Sequence, residues 1–323
     1  MNPVERGLRR LDATQRKVTP MAFLFGVVKK YGDDNGGVLA ANLTYSCFMS
    51  LFPLLLVLVT ILGLITAGDP TVRAKVLSAV GDQIPIIGHT LAGSVTALKR
   101  NSVIGLIIGL VGLIWGSIGV AQAGLYTMEQ VWNVPGAERP GFFPRLGRAV
   151  TFLGLLGLAV VGTTLLASLN TYGHHALLWV ILAEVAAAML NAAIYAAAFR
   201  ILTPKSVATR KLIPGAVVGG VLYTALQVGG TYLVHHLLHS DSVYGVFATV
   251  LGLIAWITLA VQITIYSAEI NVVLARRLWP RSILQPPLTA ADRESLTLQA
   301  LQNQRRVEEQ VVVTFTEPED ADT

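Results

Sequence analysis

Charge is scarce in this sequence. Asp, Glu, Lys and Arg make up 13% of its 323 residues, about half the share of a typical soluble domain, which excludes an ordinary cytosolic enzyme. Cysteine is scarcer still: the single Cys47 lies in an apolar run, so no intrachain disulfide forms and the residue is read as packing. Familiar catalytic and nucleotide-binding patterns are missing too. There is no GxxxxGK[ST] phosphate loop, no HExxH, no GxSxG and no CxxC, which leaves no motif for ATP-driven or metalloprotease chemistry.

What is present is apolar length. A mean hydropathy of +0.61 goes with six segments of the roughly 20 residues needed to cross a hydrocarbon layer about 30 Å thick: 43–66, 102–126, 149–169, 176–199, 212–234 and 243–268. The last two of the first four are separated by Asn170-Thr171-Tyr172-Gly173-His174-His175, a polar, turn-forming break. The expected fold class is an all-α membrane protein, a bundle of six transmembrane helices. Residues 1–18 carry five cations without an apolar core, so they do not read as a cleavable signal peptide. Residues 21–31 set Phe23, Val27 and Val28 against Lys29 and Lys30, the pattern of a short interfacial helix.

Lys and Arg orient the bundle. Of 24 such residues, all but Arg73, Lys75, Lys99 and Arg100 fall in the N-terminal segment, the second and fourth loops and the tail. The positive-inside rule then places both termini in the cytoplasm and requires an even number of crossings. The resulting division is a cytoplasmic N-terminal segment (1–42), a transmembrane domain (43–278) and a partly disordered cytoplasmic tail (279–323). In the tail, Thr289 and Asp292 form a capping-box pattern ahead of Leu296, Leu298 and Leu301, read as a surface helix at most. The outer loop 67–101 interleaves apolar and polar residues around Pro85, as two short amphipathic helices at the outer leaflet would.

In lipid, small residues take over the work of bringing helices together. Gly105, Gly109, Gly112, Gly116, Gly119 and Ala123 form one stripe, and Gly215 with Gly219 another. The first stripe suits a homo-oligomer as well as the monomer's own interior. Glu184 is the most informative polar position, since a carboxylate inside a span costs about 2.5–3.5 kcal/mol on insertion scales unless a partner or water receives it. It should therefore face the protein interior, on a stripe with Asn191 and Tyr195, with Arg200 at the cytoplasmic end of the same helix. A proton or substrate site and a structural clip are both open readings of this stripe. Glu129 and Glu269 lie near the cytoplasmic boundary, within reach of Arg145, Arg148, Arg200 and Arg210 as counter-charges. All six histidines fall on the outer side; His235 and His239, at i, i+4 beside Asp241, have a metal-chelating spacing but no fixed fourth ligand. No metal or cofactor is assigned.

Several short motifs, in this order and spacing, resemble the YihY/BrkB family of bacterial membrane proteins. They are Ser50-Leu51-Phe52-Pro53-Leu54-Leu55-Leu56, Pro214-Gly215-Ala216, Tyr244-Gly245, and Trp256 followed by Ala268-Glu269-Ile270-Asn271. The resemblance covers about 31–277. It implies six transmembrane helices in the bacterial cytoplasmic (inner) membrane and a role in envelope integrity or serum resistance. For some relatives it implies movement of lipid-like molecules, and it brings along an old ribonuclease BN label.

The expected function is that of a transporter or flippase for a lipid-like or amphiphilic envelope component, driven by a gradient, a partner protein or passive exchange. Its site residues are Glu184, Asn191, Tyr195 and Arg200, with Glu129 and Glu269 near the inner mouth. Its partners are membrane lipids or the substrate itself, a second copy, and envelope proteins reached through the tail. Nucleic acid is not expected. A non-transporting envelope scaffold is the alternative, and a membrane-bound ribonuclease ranks last because no clustered carboxylates appear in the inner loops.

Overall fold

The computed structural model of the protein describes residues 3–65, 102–170, 177–237 and 245–316. The outer loop 67–101, the break at 171–175 and His89, His174, His175 and His239 lie outside these residues. Among the described residues there are helices only. Two short ones, α1 (Pro3–Lys17) and α2 (Thr19–Asp33), precede six long ones: α3 (Gly36–Ile65), α4 (Ser102–Val131), α5 (Phe142–Asn170), α6 (Leu177–Leu202), α7 (Ile213–Leu237) and α8 (Gly245–Arg276). A final helix, α9 (Ala290–Gln302), follows in the tail. Each of the six long helices is long and apolar enough to cross a membrane, because each offers about 20 residues free of net charge.

Contacts between distant residues place the starts of α3, α5 and α7 at the same end as the finishes of α4, α6 and α8. Lys30 at the end of α2 donates to the Val131 carbonyl, Asn133 donates to Asp34, and the Gly215 amide donates to Asn271. We call this the anchored end, because α1, α2 and α9 also gather there. The well-buried apolar core sits toward it. Leu39, Ala40 and Leu43 of α3, Leu125 and Met128 of α4, Ala149 and Phe152 of α5, and Phe199 and Leu202 of α6 belong to this core. The other half of the bundle is more open: Ile114 and Trp115 of α4, Val160 and Val161 of α5, and Trp179 through Leu182 of α6 are exposed. Exposure to lipid costs such side chains nothing, so close packing is needed only where backbones or polar groups meet.

The glycine stripes behave as close-approach surfaces. Gly112 and Gly116 of α4 lie against Pro53 and Ser50 of α3, where an added Cβ would come to 2.9 Å from the Pro53 Cβ. The bulky ring of a proline inside a helix is thus met by a neighbour without a side chain. Gly215, Gly219 and Gly220 of α7 leave no room for a Cβ beside the Ser267 carbonyl, the Tyr195 ring and the Ala192 backbone respectively.

Two readings of the terminal segments are corrected. The 21–31 stretch is helical, but Lys30 does not point to lipid headgroups: it is fully buried, donating to Asp34 and to the Val131 carbonyl. The tail is more than a surface helix. The predicted capping box forms, with the Asp292 amide donating to Thr289 Oγ1 at 3.1 Å, and Leu298 is buried. The Ala137 amide donates to the Gln304 carbonyl, so chain beyond α9 is docked on the loop between α4 and α5.

Candidate functional site

Four of the six residues singled out in the sequence fall into three places, and Glu184 and Arg200 stand apart from them. The first is a polar seam across α6, α7 and α8. Asn191, 4% exposed, donates to Thr224 Oγ1 at 2.9 Å and to Gln227 Oε1 at 3.2 Å. One turn further on, the Tyr195 hydroxyl meets Thr264 Oγ1 at 3.0 Å, and its ring packs edge-on against Phe199. The seam continues toward the anchored end, where Asn271 Oδ1 accepts from the Gly215 amide at 2.7 Å. That amide belongs to the first turn of α7, where backbone donors have no partner within their own helix. Asn271 therefore caps α7 from a neighbouring helix, and the Pro214-Gly215-Ala216 and Ala268-Glu269-Ile270-Asn271 motifs turn out to touch each other.

Glu184 belongs to the same stripe but not to the seam. Seven residues are about 20° short of two full turns, so Glu184 and Asn191 lie on nearly one face, about 10 Å apart along the axis. Asn191 is covered and Glu184 is exposed. The expectation that Glu184 is enclosed by protein is corrected: the neighbours that cover Asn191 do not extend over Glu184.

The second place is the junction of α4 and α5. Glu129, 2% exposed, lies 3.5 Å from Arg145 Nη2 and 4.0 Å from Arg139 Nε, and neither of its oxygens makes a hydrogen bond. Of the counter-charges expected from sequence, Arg145 is present as a partner. Arg200 is not: it donates to the Val207 carbonyl at 2.8 Å, tying the end of α6 to its loop. The third place is the contact of α2 with α8. Glu269 is completely buried, and its ion-pair partner is Lys30 at 3.7 Å rather than an arginine.

A further polar cluster escaped the sequence reading. Asp292 accepts from Arg281 Nε at 2.6 Å, Lys29 Nζ at 3.0 Å, the Ser282 and Thr289 amides at 3.0 Å each, and the Ser282 and Thr289 hydroxyls. Arg281 also binds Asp33 at 2.6 Å, while Asp12 accepts from the Ile283 amide at 2.9 Å and Gln15 donates to the Arg281 carbonyl at 2.7 Å. Burial alone would raise the Asp292 carboxyl, but the Ser282 hydroxyl, Arg281 and the two amides outweigh it and hold it far below the usual carboxylate range. Asp12 follows the same logic more mildly: burial pushes up, and the Ile283 amide, Gln15 and Arg16 bring it down. Tyr31 goes the other way, raised by burial and by the neighbouring Tyr266 and Glu269. The capping box was the only sequence signal pointing to Asp292, and nothing in the residue order announced Arg281.

The family described as virulence factor BrkB matches residues 27–289. The chain belongs to the BrkB family. Among curated relatives, this BrkB-family protein is 22% identical over 293 residues to the inner membrane protein YhjD of Escherichia coli, covering 82% of this chain and 85% of that one. It is 25% identical over 247 residues to a UPF0761 membrane protein of Pseudoalteromonas atlantica, covering 73% and 80%. It is 24% identical over 272 residues to the putative ribonuclease-like protein YfkH of Bacillus subtilis, covering 80% and 96%. No solved structure matches. With six membrane-capable helices, the protein is a multi-pass inner membrane protein.

Proposed function

We propose that this BrkB-family protein moves a lipid-like or amphiphilic envelope component across the inner membrane. One observation carries the reading. On a single face of α6, Asn191 is covered by protein and Glu184 is not. A carboxylate at that depth is costly in hydrocarbon, and water or a polar headgroup entering between α6 and its neighbours relieves the cost. By the distribution of Lys and Arg, the anchored end is cytoplasmic, so the uncovered half opens toward the outer leaflet. Glu184 meets the headgroup, and Asn191 and Tyr195 line the closed continuation of the path. Arg200, Glu129 and Glu269, each held by its own partner, keep the inner mouth shut.

The test is transport of a headgroup-labelled phospholipid by the purified protein in proteoliposomes. Glu184→Gln is expected to slow movement at least about tenfold, the loss of one interaction of about 1.4 kcal/mol. Equal rates in wild type and variant contradict the assignment.

A scaffold role has one observation in its favour. Residues 310–316 beyond α9 form no regular secondary structure, and among the described residues no backbone–backbone hydrogen bond reaches them, which leaves their backbone groups available to another protein's sheet edge. A chain truncated after Arg306 would then lose envelope integrity while Glu184→Gln retains it. The ribonuclease wording of YfkH is not carried over, because Glu129 and Asp292 at the anchored end are engaged by arginines and Glu269 is completely buried.

A further inference from the structure

The contact of α2 with α8 contains an imbalance of charge. Lys30 Nζ binds Asp34 and lies 3.7 Å from Glu269. The Lys30, Asp34 and Glu269 side chains are 0%, 1% and 0% exposed. Counted as ionised, one ammonium meets two carboxylates, leaving one negative charge with no access to solvent. No further cation cancels that charge: of the other elements packed on α8, α7 carries no Lys or Arg, and Arg210 and Lys211 of the Thr209–Leu212 turn are exposed. On α2, Tyr31 stacks on Tyr266 of α8, and both are phenols. Helix α3 has no charged residue. The lone charged residue of α4 is Glu129, which is engaged by Arg145 and Arg139. Asn133, just past α4, donates to Asp34 and not to Glu269.

Hydrogen bonding says which carboxylate bears the difference. Asp34 accepts from Lys30 and, at 3.1 Å, from Asn133, which suits an ion. Glu269 has no hydrogen bond to either oxygen. A buried ionised carboxylate without hydrogen bonds is strongly disfavoured, and the usual resolution is neutralisation. We propose that Glu269 is a proton-binding site, neutral at physiological pH while α2 is packed on α8, with Asp34 and Lys30 as its ionised neighbours. The site is separate from Glu184 and does not depend on the transport reading.

The test is infrared difference spectroscopy of the full-length protein in nanodiscs at neutral pH, read at the protonated-carboxyl C=O band. Subtracting Glu269→Gln from wild type should reveal such a band. Asp34→Asn should abolish it, because Lys30 then faces a single carboxylate and Glu269 ionises; a purely structural Glu269 predicts no such loss. Glu129→Gln should leave it in place. A wild-type minus Glu269→Gln spectrum without the band, or an Asp34→Asn protein that keeps it, overturns the proposal.

Discussion

A methyl group is enough to probe the helix contacts. At Gly215 a Cβ would run into the Ser267 carbonyl, which is backbone and cannot rotate away. Gly215→Ala is expected to destabilise the bundle by about 1–3 kcal/mol, the usual range for overpacking, and to weaken the Asn271 cap with it. Gly119, in the middle of α4, has nothing within 4 Å of where a Cβ would stand. Gly119→Ala should leave the melting temperature of the detergent-solubilised protein unchanged or slightly raised, since Ala is the better helix former. A comparable loss at both positions would contradict the packing described. The contrast also shows what residue order alone conveys. Both glycines lie on stripes recognisable from spacing, but which member touches a neighbour depends on how far apart the helices stand, and spacing within one helix does not contain that distance.

The clasp of α1, α2 and α9 around Asp292 is a property of elements. Asp292→Ala leaves Arg281, which is 1% exposed, with Asp33 alone and takes from Lys29 its carboxylate, and removing one partner from a buried ionic cluster costs up to about 3–5 kcal/mol. The expected outcome is release of α9, seen as new tryptic cleavage after Arg293 and Arg305 with the six long helices intact. The same clasp sets a pH dependence. The folded Asp292 carboxyl lies below its ordinary value of 3.8, so its contribution is fully present above that value and is lost as pH falls through the lowered one. Hydrogen exchange over residues 281–302 should therefore show full protection down to about pH 4 and a progressive decline below it, with Asp292→Asn flattening the profile. Sequence conveyed part of this element. Thr289 and Asp292 announced the start of α9, yet Lys29 and Lys30 suggested a headgroup-facing helix. A lysine pair beside apolar residues looks the same whether its partners are phosphates or distant carboxylates, and only the i, i+4 spacing of Lys30 and Asp34 hinted at the second.

At the scale of the whole molecule, the six spans were legible because hydrocarbon imposes a length and a composition that few other environments demand. Orientation rests on the basic residues alone. Single cysteines at Gly173 and Ser240, which lie outside the described residues, should react from the cell exterior, and one at Ser206 should not; the reverse pattern inverts the assignment. The candidate site was legible only in part. The stripe of Glu184, Asn191 and Tyr195 follows from helical periodicity, but the point along α6 where its neighbours cease to cover it is a tertiary property. That point is also where transport and structural readings separate. In a Cys47→Ser background, a membrane-impermeant thiol reagent added from outside should modify Glu184→Cys rapidly and leave Asn191→Cys untouched, since water reaches one and not the other. An unreactive Glu184→Cys would mean that the position faces lipid, and a path between the helices would be contradicted.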